Sequence, residues 1–304
     1  MNVHDTLLAQ ILRELPEDWP VSHTAARSTL ERWLGRALRR CDDLEWARGF
    51  ARHCPSRPPQ EYLHRLLPGT PTLLCGVRFK GGDVSLPFVD LLAWDEGLQG
   101  HWDSVHSRIA QAYAPFGPHS IRLRWPGAEP PLTGLAVDQV LVAERLDRLR
   151  LRTRPELPGL VLQRAEDLDF HGDFLDAFNR WRAAAGPLGP EVHPASPEDL
   201  QPCVDAGAVI CASDGRWRGL MAATRREERA LGGFCVVELF LDPQVHGRGW
   251  APALQGALID ALPGGPGDAL YGTIHRLNAP SLRTALRCGR RVIETWWFWP
   301  VNRS

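Results

Sequence analysis

The chain has 304 residues, of which 44% are hydrophobic and 23% are charged, and its formal net charge at pH 7 is -1. This length is sufficient for two domains, and the composition is that of an ordinary globular protein that can bury sizeable cores. The nearly neutral charge balance gives no electrostatic reason to expect nucleic acid or an anionic membrane surface as a partner.

Signals for export, membrane insertion and metal binding are missing from the sequence. The first residues, Met-Asn-Val-His-Asp, lack the basic start and apolar core of a signal peptide. No run approaches the ~18 apolar residues of a membrane helix, and no histidine spacing matches a zinc motif. Seven scattered cysteines without a Cys-x-x-Cys pair favour buried free thiols. We therefore expect a cytoplasmic protein without a membrane contact or a bound metal.

The first half begins with helices and continues with strands. Two amphipathic stripes are predicted, at Leu7, Leu8, Ile11 and Leu12 and at Leu30, Trp33, Leu34 and Leu38. Strands are then expected over residues 72–79, 84–93, 120–125 and 139–144, with a helix over 102–113. The segment Thr153-Arg-Pro-Glu-Leu-Pro-Gly predicts a linker between a first domain at 1–152 and a second at 158–304.

The second half predicts a similar mixture of strands and helices. Strands are expected over residues 160–164, 208–212, 218–224, 234–241, 270–276 and 291–299. Helices are expected over 174–185 and 197–204, after a loop at 247–250, and before Gly289. The charge run Arg225–Arg229 predicts a solvated turn at a hairpin tip.

The most informative stretch is residues 238–254, Glu-Leu-Phe-Leu-Asp-Pro-Gln-Val-His-Gly-Arg-Gly-Trp-Ala-Pro-Ala-Leu. It predicts the end of a buried strand, a loop with two glycines, and a helix with Leu254 and Leu258 on one face. Such a loop presents backbone N–H groups at the positive end of the helix dipole, and its glycines let a phosphate approach. The stretch predicts a phosphorylated cofactor, and the alternative is a tight turn that only packs the helix.

A second segment supports the cofactor site, because the next strand is followed by Asn278, Ser281 and a helix that ends near Gly289. Together with the loop His246-Gly-Arg-Gly-Trp-Ala251, it resembles the two linked motifs of the GNAT superfamily of acyl-CoA N-acyltransferases. The resemblance covers residues 160–304. It implies an α/β fold of the α+β type, in which helices flank a mixed, mostly antiparallel sheet.

The resemblance also implies which residues bind acetyl-CoA. The backbone of Phe240 and Leu241 would pair with the pantetheine arm, and Asn278 and Ser281 would anchor the arm and the nucleotide side. After His246 at the head of the loop, the N–H groups expected on the pyrophosphate belong to Gly247, Arg248, Gly249, Trp250 and Ala251.

Two positions depart from the family pattern. His246 replaces the usual Gln or Arg, so its contact would be neutral or cationic according to pH. Ala285 stands where family members often carry a Tyr, thought to protonate the departing thiolate. Either another group or water supplies that proton, or the chain binds acyl-CoA without turning it over.

Glu238 and His275 are the candidates for deprotonating an attacking amine. Glu238 lies in an otherwise apolar strand, where desolvation raises a carboxyl pKa toward neutrality. The alternative is a carboxylate that is satisfied by an arginine or a backbone turn. His275 lies on the neighbouring strand, three residues before Asn278, and its alternative is a structural histidine.

A faint internal repeat has an offset of 148 residues, at which Val89-Asp-Leu-Leu falls over Val237-Glu-Leu-Phe and Trp102 over Trp250. We interpret it as a tandem duplication with a degenerate first copy, and chance similarity is the alternative. The loop Asp95-Glu-Gly-Leu-Gln-Gly-His of that copy carries carboxylates that would repel a pyrophosphate, so a second cofactor is not expected there.

These features together predict a GNAT-type N-acetyltransferase in two tandem domains. It would transfer an acetyl group from acetyl-CoA to the amine of a small molecule or peptide, by direct attack in a ternary complex. A non-catalytic acyl-CoA-binding or regulatory protein is the alternative, since Ala285 and the degenerate first half both favour it. A third hypothesis is a tandem acyltransferase with a thiol-bearing acceptor. Nucleic acid, membrane and metal are not expected as partners.

Overall fold

The structure, a computed structural model, describes residues 2–52, 57–152 and 157–301. The strands are β1 (Arg65–Leu67), β2 (Leu73–Phe79), β3 (Pro87–Trp94), β4 (Ser120–Pro126), β5 (Ala136–Arg145), β6 (Val161–Arg164), β7 (Val209–Ser213), β8 (Trp217–Glu228), β9 (Leu231–Leu241), β10 (Ala269–His275) and β11 (Arg291–Pro300). The helices are α1 (Val3–Glu14), α2 (His23–Arg39), α3 (Leu44–Ala51), α4 (Trp102–Ala112), α5 (Leu146–Arg150), α6 (His171–Ala184), α7 (Pro197–Asp205), α8 (Trp250–Ala261) and α9 (Ala279–Arg287). Short 3-10 helices span Pro59–Tyr62, Lys80–Gly82, Ala114–Phe116, Gly186–Glu191 and Pro243–Val245.

The strands of the described residues form one sheet in the order β1-β2-β3-β4-β11-β5-β10-β9-β8-β7-β6. The pairs β3–β4 and β9–β10 are parallel, and the other neighbours are antiparallel. Parallel strands need a crossover connection, which α4 and α8 provide. The sheet is therefore mixed and mostly antiparallel with flanking helices, which confirms the expected fold class.

The two halves of the sequence exchange strands. β5 of the first half lies between β10 and β11 of the second, with Val142 opposite Gly272 and Val292. β11 of the second half lies between β4 and β5 of the first, with Trp297 opposite Leu123. Each half therefore completes the hydrogen bonding of the other. The division into 1–152 and 158–304 stays a prediction, and linker residues 153–156 lie outside the described residues.

The first two helices pack across the middle of this sheet. Their stripes, predicted from i, i+3 and i+4 spacing, bury Leu7 of α1 and Leu30 and Leu34 of α2 completely. These side chains share a core with Ala143 and with Tyr271 of β10. Helices of the first half therefore cover strands of both halves.

Helices cover the end of β9 on both faces. α6 and α7 contribute Phe174 and Leu200 to the core on one face, where Phe240 joins them. α8 contributes Leu258 to the core on the other face, where Leu241 joins it. The alternation of Phe240 and Leu241 between the two cores follows from the two-residue period of a strand.

The charge run Arg225–Arg229 differs from its prediction. The end of β8 pairs with the start of β9 as far as Glu228 opposite Leu231, so most of the run is strand. Arg229 makes the turn with a φ of 50°, is only 4% exposed, and donates a 2.7 Å hydrogen bond to Glu294. The prediction of a solvated turn was wrong because β11, which is distant in sequence, places Glu294 beside the tip of this hairpin, where it binds Arg229.

The six cysteines of the described residues are free thiols. Cys75, Cys203 and Cys288 are buried and the others are half-buried, in agreement with the prediction from their scattered positions. In the same residues, no helix has both the length and the apolar character that crossing a membrane requires.

Candidate active site

β9 and β10 pair at one end and separate at the other. Their parallel ladder spans Gly233 opposite Ala269 to Cys235 opposite Tyr271, although β9 and β10 both continue beyond it. A bulge at Val237 places two residues of β9 opposite one of β8, which bends β9 locally. The two strands form a fork that opens toward their C-terminal ends.

The pairing of β9 with β8 decides which backbone groups face the fork. The N–H of Asp242 donates to the carbonyl of Arg218 over 2.7 Å, so these residues form a hydrogen-bonded antiparallel pair. Such pairs alternate along the ladder, so Phe240 directs its N–H and C=O to β8. Leu239 and Leu241 direct theirs into the fork. The motif had indicated Phe240 and Leu241; of these two, only Leu241 directs its backbone into the fork, and the motif gave no sign that Leu239 does so as well.

The fork leads into a glycine loop, residues 246–249. Gly247 and Gly249 have φ of 78° and 80°, a region that favours glycine. Gly249 is the N-cap of α8 and gives it no side-chain cap, so the first N–H groups of the helix lack a side-chain acceptor. A Cβ at Gly247 would have no heavy atom within 4 Å. The loop is exposed, and its N–H groups and the helix dipole suit a phosphate group.

The side chains of the loop have different surroundings. His246 donates from Nε2 to the Leu241 carbonyl over 2.9 Å, so its ring folds back onto the end of β9. Trp250 is 6% exposed and packs into the core beneath α8, where Ala251 also packs. Arg248 is exposed. Trp250 and Ala251 therefore have only backbone N–H groups to offer an anion.

Glu238 lies on the α6 side of the fork, opposite α8. Its carboxylate accepts hydrogen bonds from the N–H of Ala195 at 3.1 Å and of Leu239 at 3.0 Å. Burial raises the pKa of Glu238 to about 7, and these two hydrogen bonds offset only part of that effect. Glu238 is half-buried, and the partners of its carboxylate are backbone groups.

His275 faces the same side from the end of β10. Its Nδ1 accepts from the N–H of Leu277 over 3.3 Å, and its Nε2 lies 4.0 Å from Oε2 of Glu191. Burial lowers the pKa of His275, so the ring is neutral at pH 7 with its proton on Nε2. This tautomer directs the Nε2 proton toward Glu191, at a distance that is too long for a hydrogen bond.

The first half reaches this side of the fork through the connection between β2 and β3. Lys80 Nζ donates to Oε1 of Glu191 over 2.8 Å, and Glu191 belongs to the second half. The hydrogen bond from Lys80 lowers the pKa of Glu191, so the carboxylate is ionised at neutral pH. The wall opposite Glu238 is therefore built from both halves.

Asn278 and Ser281 form the N-terminal cap of α9. Asn278 is the N-cap, and its Oδ1 accepts from the N–H of Ser281 over 3.2 Å. Ala285 is completely buried against Val142 and Ile274, so α9 presents no hydroxyl at that position. The cap gives Asn278 and Ser281 a structural role, and their contact with acetyl-CoA stays a prediction.

Arg290 lies at the base of the fork, and the sequence analysis missed it. Its Nε donates to Oε1 of Gln255 over 3.1 Å, and only 4% of the residue is exposed. A Cβ at Gly272 would lie 3.2 Å from the Cβ of Val236 and 3.8 Å from Nη1 of Arg290. Among the described residues, no carboxylate forms an ion pair with it. Burial lowers the pKa of Arg290 to about 10, so it is charged at neutral pH.

The corresponding strands of the first half stay paired where β9 and β10 separate. Asp90 aligns with Glu238 in the internal repeat, but the ladder between β3 and β4 runs from Phe88 to Leu91, past Asp90. Arg122 binds the Asp90 carboxylate at 2.6 Å; burial alone would raise the pKa of Asp90, and the arginine lowers it.

In the described part of the chain, no group of three or more His, Cys, Asp or Glu side chains could hold a metal ion.

Solved acetyltransferase structures are similar to the chain, whereas no protein-family model and no curated protein matches it. A GCN5-related N-acetyltransferase from Sphaerobacter thermophilus has a TM-score of 0.52 at 13% identity, over 76% of this chain and 78% of its own. A GNAT-family acetyltransferase from Colwellia psychrerythraea has a TM-score of 0.49 at 11% identity, over 82% and 88%. A tandem GNAT protein from the clavulanic acid biosynthesis pathway has a TM-score of 0.43 at 12% identity, over 87% and 97%.

The likeness to the Sphaerobacter protein covers 76% of this chain, so it extends into both halves. At 13% identity it describes the fold, and the chemistry has to be argued from the residues. The chain has the GNAT fold, as its two linked motifs predicted.

Proposed function

We propose that the chain is an N-acetyltransferase that transfers the acetyl group of acetyl-CoA to an amine. The observation that carries this proposal is the fork between β9 and β10, which leads directly into the N-terminus of α8. An extended pantetheine arm needs a backbone partner at the edge of the fork, which the carbonyl of Leu239 provides, because the Leu239 N–H already donates to Glu238 and the Leu241 carbonyl already accepts from His246. A pyrophosphate needs converging N–H groups, which the glycine loop provides.

The proposed mechanism is direct attack by the amine in a ternary complex. Glu238 takes a proton from the amine while the nitrogen bonds to the thioester carbon, and a pKa near 7 suits this transfer. The N–H of Leu241 donates to the thioester oxygen, where negative charge develops. The bond from carbon to sulfur then breaks, and the electron pair leaves with the sulfur.

Arg290 is proposed to stabilise the departing thiolate. Ala285 supplies no proton donor, because its side chain is a methyl group buried in a core. The guanidinium of Arg290 lies at the point where β9 and β10 separate, and it is charged without a paired carboxylate in the described residues. A positive charge in a poorly solvated position stabilises a nearby anion more than it would in water.

The acceptor is proposed to be a small molecule or peptide whose amine arrives protonated. Glu238 and Glu191 lie on the acceptor side of the fork, and Lys80 contacts only Oε1 of Glu191, which leaves Oε2 able to accept a hydrogen bond. Carboxylates in a cleft attract cations and raise their local concentration. A cationic amine would then lose one proton to the solvent on arrival and give the second to Glu238 during attack.

Binding of acetyl-CoA is the first test. A ligand at about 100 times its Kd adds ~2.7 kcal/mol to the stability of the protein that binds it. We expect a saturable rise in melting temperature with acetyl-CoA and a much smaller rise with adenosine, which has no pyrophosphate. A chain that shows no rise with acetyl-CoA does not bind the donor, and the proposal then fails.

Release of free thiol from acetyl-CoA in the presence of a panel of amines is the second test. It separates the enzyme from a non-catalytic acyl-CoA-binding protein, which the buried Ala285 favours. Amine-dependent thiol release supports the enzyme. Tight binding without release for any amine supports the binding protein.

A further inference from the structure

A large cavity lies between α2 and the sheet, at the end of β9 opposite the fork. Its volume is about 800 Å³, within the usual range for small-molecule sites. Gly232 and Gly233 line it at the start of β9, whereas the fork opens beyond Cys235. The cavity is therefore separate from the proposed acetyl-CoA site.

Arginines dominate the wall of this cavity. Eight arginines line it against four carboxylates, so the lining carries a marked excess of positive charge although the whole chain is nearly neutral. They come from α2 and the residue that follows it, from the strands β2 and β4, and from the end of β8. The charge run Arg225–Glu228 thus contributes to a cavity wall.

Several of these arginines are already paired. Arg122 binds Asp90, and Arg225 binds Asp268 through two hydrogen bonds of 3.0 Å and 2.9 Å. Arg124 binds Glu228. These pairs hold the wall in shape and neutralise part of its charge.

Arg40 and Arg226 are different, because no carboxylate of the described residues forms an ion pair with either of them. Arg40 extends over the ring of Trp46 at 5.1 Å, and burial together with the nearby Arg36 lowers its pKa. Arg36 and Arg32 both pair with the carboxylate of Glu227, and Nη1 of Arg36 lies 3.5 Å from its Oε2. Positive charge in this part of the cavity therefore exceeds the negative charge that is available to balance it.

His64 orients one more arginine without adding charge. Its Nδ1 donates to the carbonyl of Ala37 over 2.9 Å, which leaves Nε2 to accept from Nη2 of Arg78, also over 2.9 Å. Burial and the adjacent Arg78 lower the pKa of His64 to about 3, so the ring is neutral at physiological pH. Arg78 is thus held at the wall by this neutral ring and by Asp90, whose Oδ2 lies 3.6 Å from Nε of Arg78.

We propose that this cavity binds a small phosphorylated molecule with at least two phosphate groups. Guanidinium groups bind phosphate oxygens in pairs of parallel hydrogen bonds, and several of them around one cavity match a compact polyanion. The cavity is open to solvent on one side, and its volume of about 800 Å³ matches a small molecule. The site uses residues from both halves and does not depend on the proposed acetyl transfer.

Calorimetric titration of the full chain with sodium tripolyphosphate, at constant ionic strength, tests this site. The titration is repeated with coenzyme A in excess, which competes for the glycine loop, and we expect one saturable site whose affinity coenzyme A leaves unchanged. Arg40→Gln and Arg226→Gln should each weaken binding about tenfold, which is the effect of losing one hydrogen bond to a charged group. Arg226 is exposed on β8, so its replacement leaves the core intact.

Two matched controls remove an arginine elsewhere. Arg39→Gln changes the exposed neighbour of Arg40, which does not line the cavity, and Arg248→Gln changes the glycine loop. Both should retain the affinity of the unmodified chain. Loss of binding in Arg248→Gln alone would place the anion at α8, and equal losses in all four variants would show unspecific attraction. Either result overturns the proposal, as does the absence of saturable binding or an equal affinity for citrate.

Discussion

At the scale of single residues, the protonation of Glu238 is the step most open to measurement. Its pKa is raised to about 7, and it has to be ionised to accept a proton. We expect kcat to rise about tenfold per pH unit below pH 7 and to level off above it. Glu238→Gln should lower kcat about 100-fold or more and remove this dependence, while acetyl-CoA affinity stays unchanged. A pH profile of kcat for both proteins tests the assignment, and equal profiles would exclude Glu238 as the base.

The burial of Glu238 also makes the free energy of unfolding depend on pH, and this free energy falls with rising pH where kcat rises. A carboxyl whose folded pKa lies above its unfolded value of 4.5 favours the folded state most when it is protonated, so stability is lost as pH rises from about 4.5 through 7. Glu238→Gln removes this cost, and at pH 8 it should raise the free energy of unfolding by about 1–2 kcal/mol. Urea unfolding at pH 4 and pH 8 measures it. A lower stability at pH 8 would mean that the hydrogen bonds to Ala195 and Leu239 outweigh desolvation.

A substitution of Arg290 tests whether its positive charge stabilises the departing thiolate, since Ala285 has no hydroxyl that could protonate it. Arg290→Met keeps most of the side-chain volume and removes the buried charge, and such replacements are often neutral or stabilising. We therefore expect an unchanged or higher melting temperature with a kcat that is at least tenfold lower. Steady-state kinetics and a melting curve on the same sample separate the two effects. A kcat equal to that of the unmodified chain would remove Arg290 from the mechanism.

At the scale of elements, the glycine loop and α8 have a matched counterpart in the first half. Gly249 and Gly100 both have a φ of 80° and stand just before a helix, α8 and α4 respectively. A valine at either position is strained by about 1–3 kcal/mol. Only Gly249→Val should also weaken acetyl-CoA, by about 100-fold, if two charge-assisted hydrogen bonds are lost. Calorimetry on both variants compares them, and similar affinities would show that the loop does not hold the pyrophosphate.

Most elements could be predicted because their information is local. The apolar alternation that ends at Leu241 and the glycines that follow it define β9, the loop and α8 within one continuous stretch. The bulge at Val237 and the direction of the Leu239 backbone could not be predicted in this way. They depend on the register with β8, and register is set by contacts between segments that are distant in sequence.

Contacts between distant segments also explain why the arginines of the cavity and Arg290 could not be predicted from the sequence. Arg226 and Arg40 are separated by most of the sequence, yet they line one cavity. From the sequence alone, each belonged to an ordinary charged surface. Glu238 was recognised because its apolar neighbours adjoin it in the chain, whereas Arg290 follows a helix end and gains its position only when α8 and α9 pack.

At the scale of the whole molecule, the exchange of β5 and β11 makes the two halves one structural unit. Contacts of side chains reinforce it, since Arg124 of the first half binds Glu228 of the second and Lys80 binds Glu191. α5 adds to it, because Leu146 and Leu149 are buried in the core of α8. The first half therefore supports the proposed active site although its own strands β3 and β4 stay paired beside Asp90.

This organisation predicts that neither half is stable alone. Without β5, residues 158–304 would keep β10 and β11 two strand spacings apart, about 9–10 Å, with unpaired edges facing each other. Such edges promote aggregation.

We expect residues 1–152 and 158–304 to aggregate or to melt without cooperativity when they are produced separately, and to form a 1:1 complex when they are produced together. The complex should bind acetyl-CoA with the affinity of the intact chain, which gel filtration, melting curves and calorimetry measure. A cooperative melt and full acetyl-CoA affinity for residues 158–304 alone would show that the exchanged strands are dispensable and that the predicted boundary separates two independent domains.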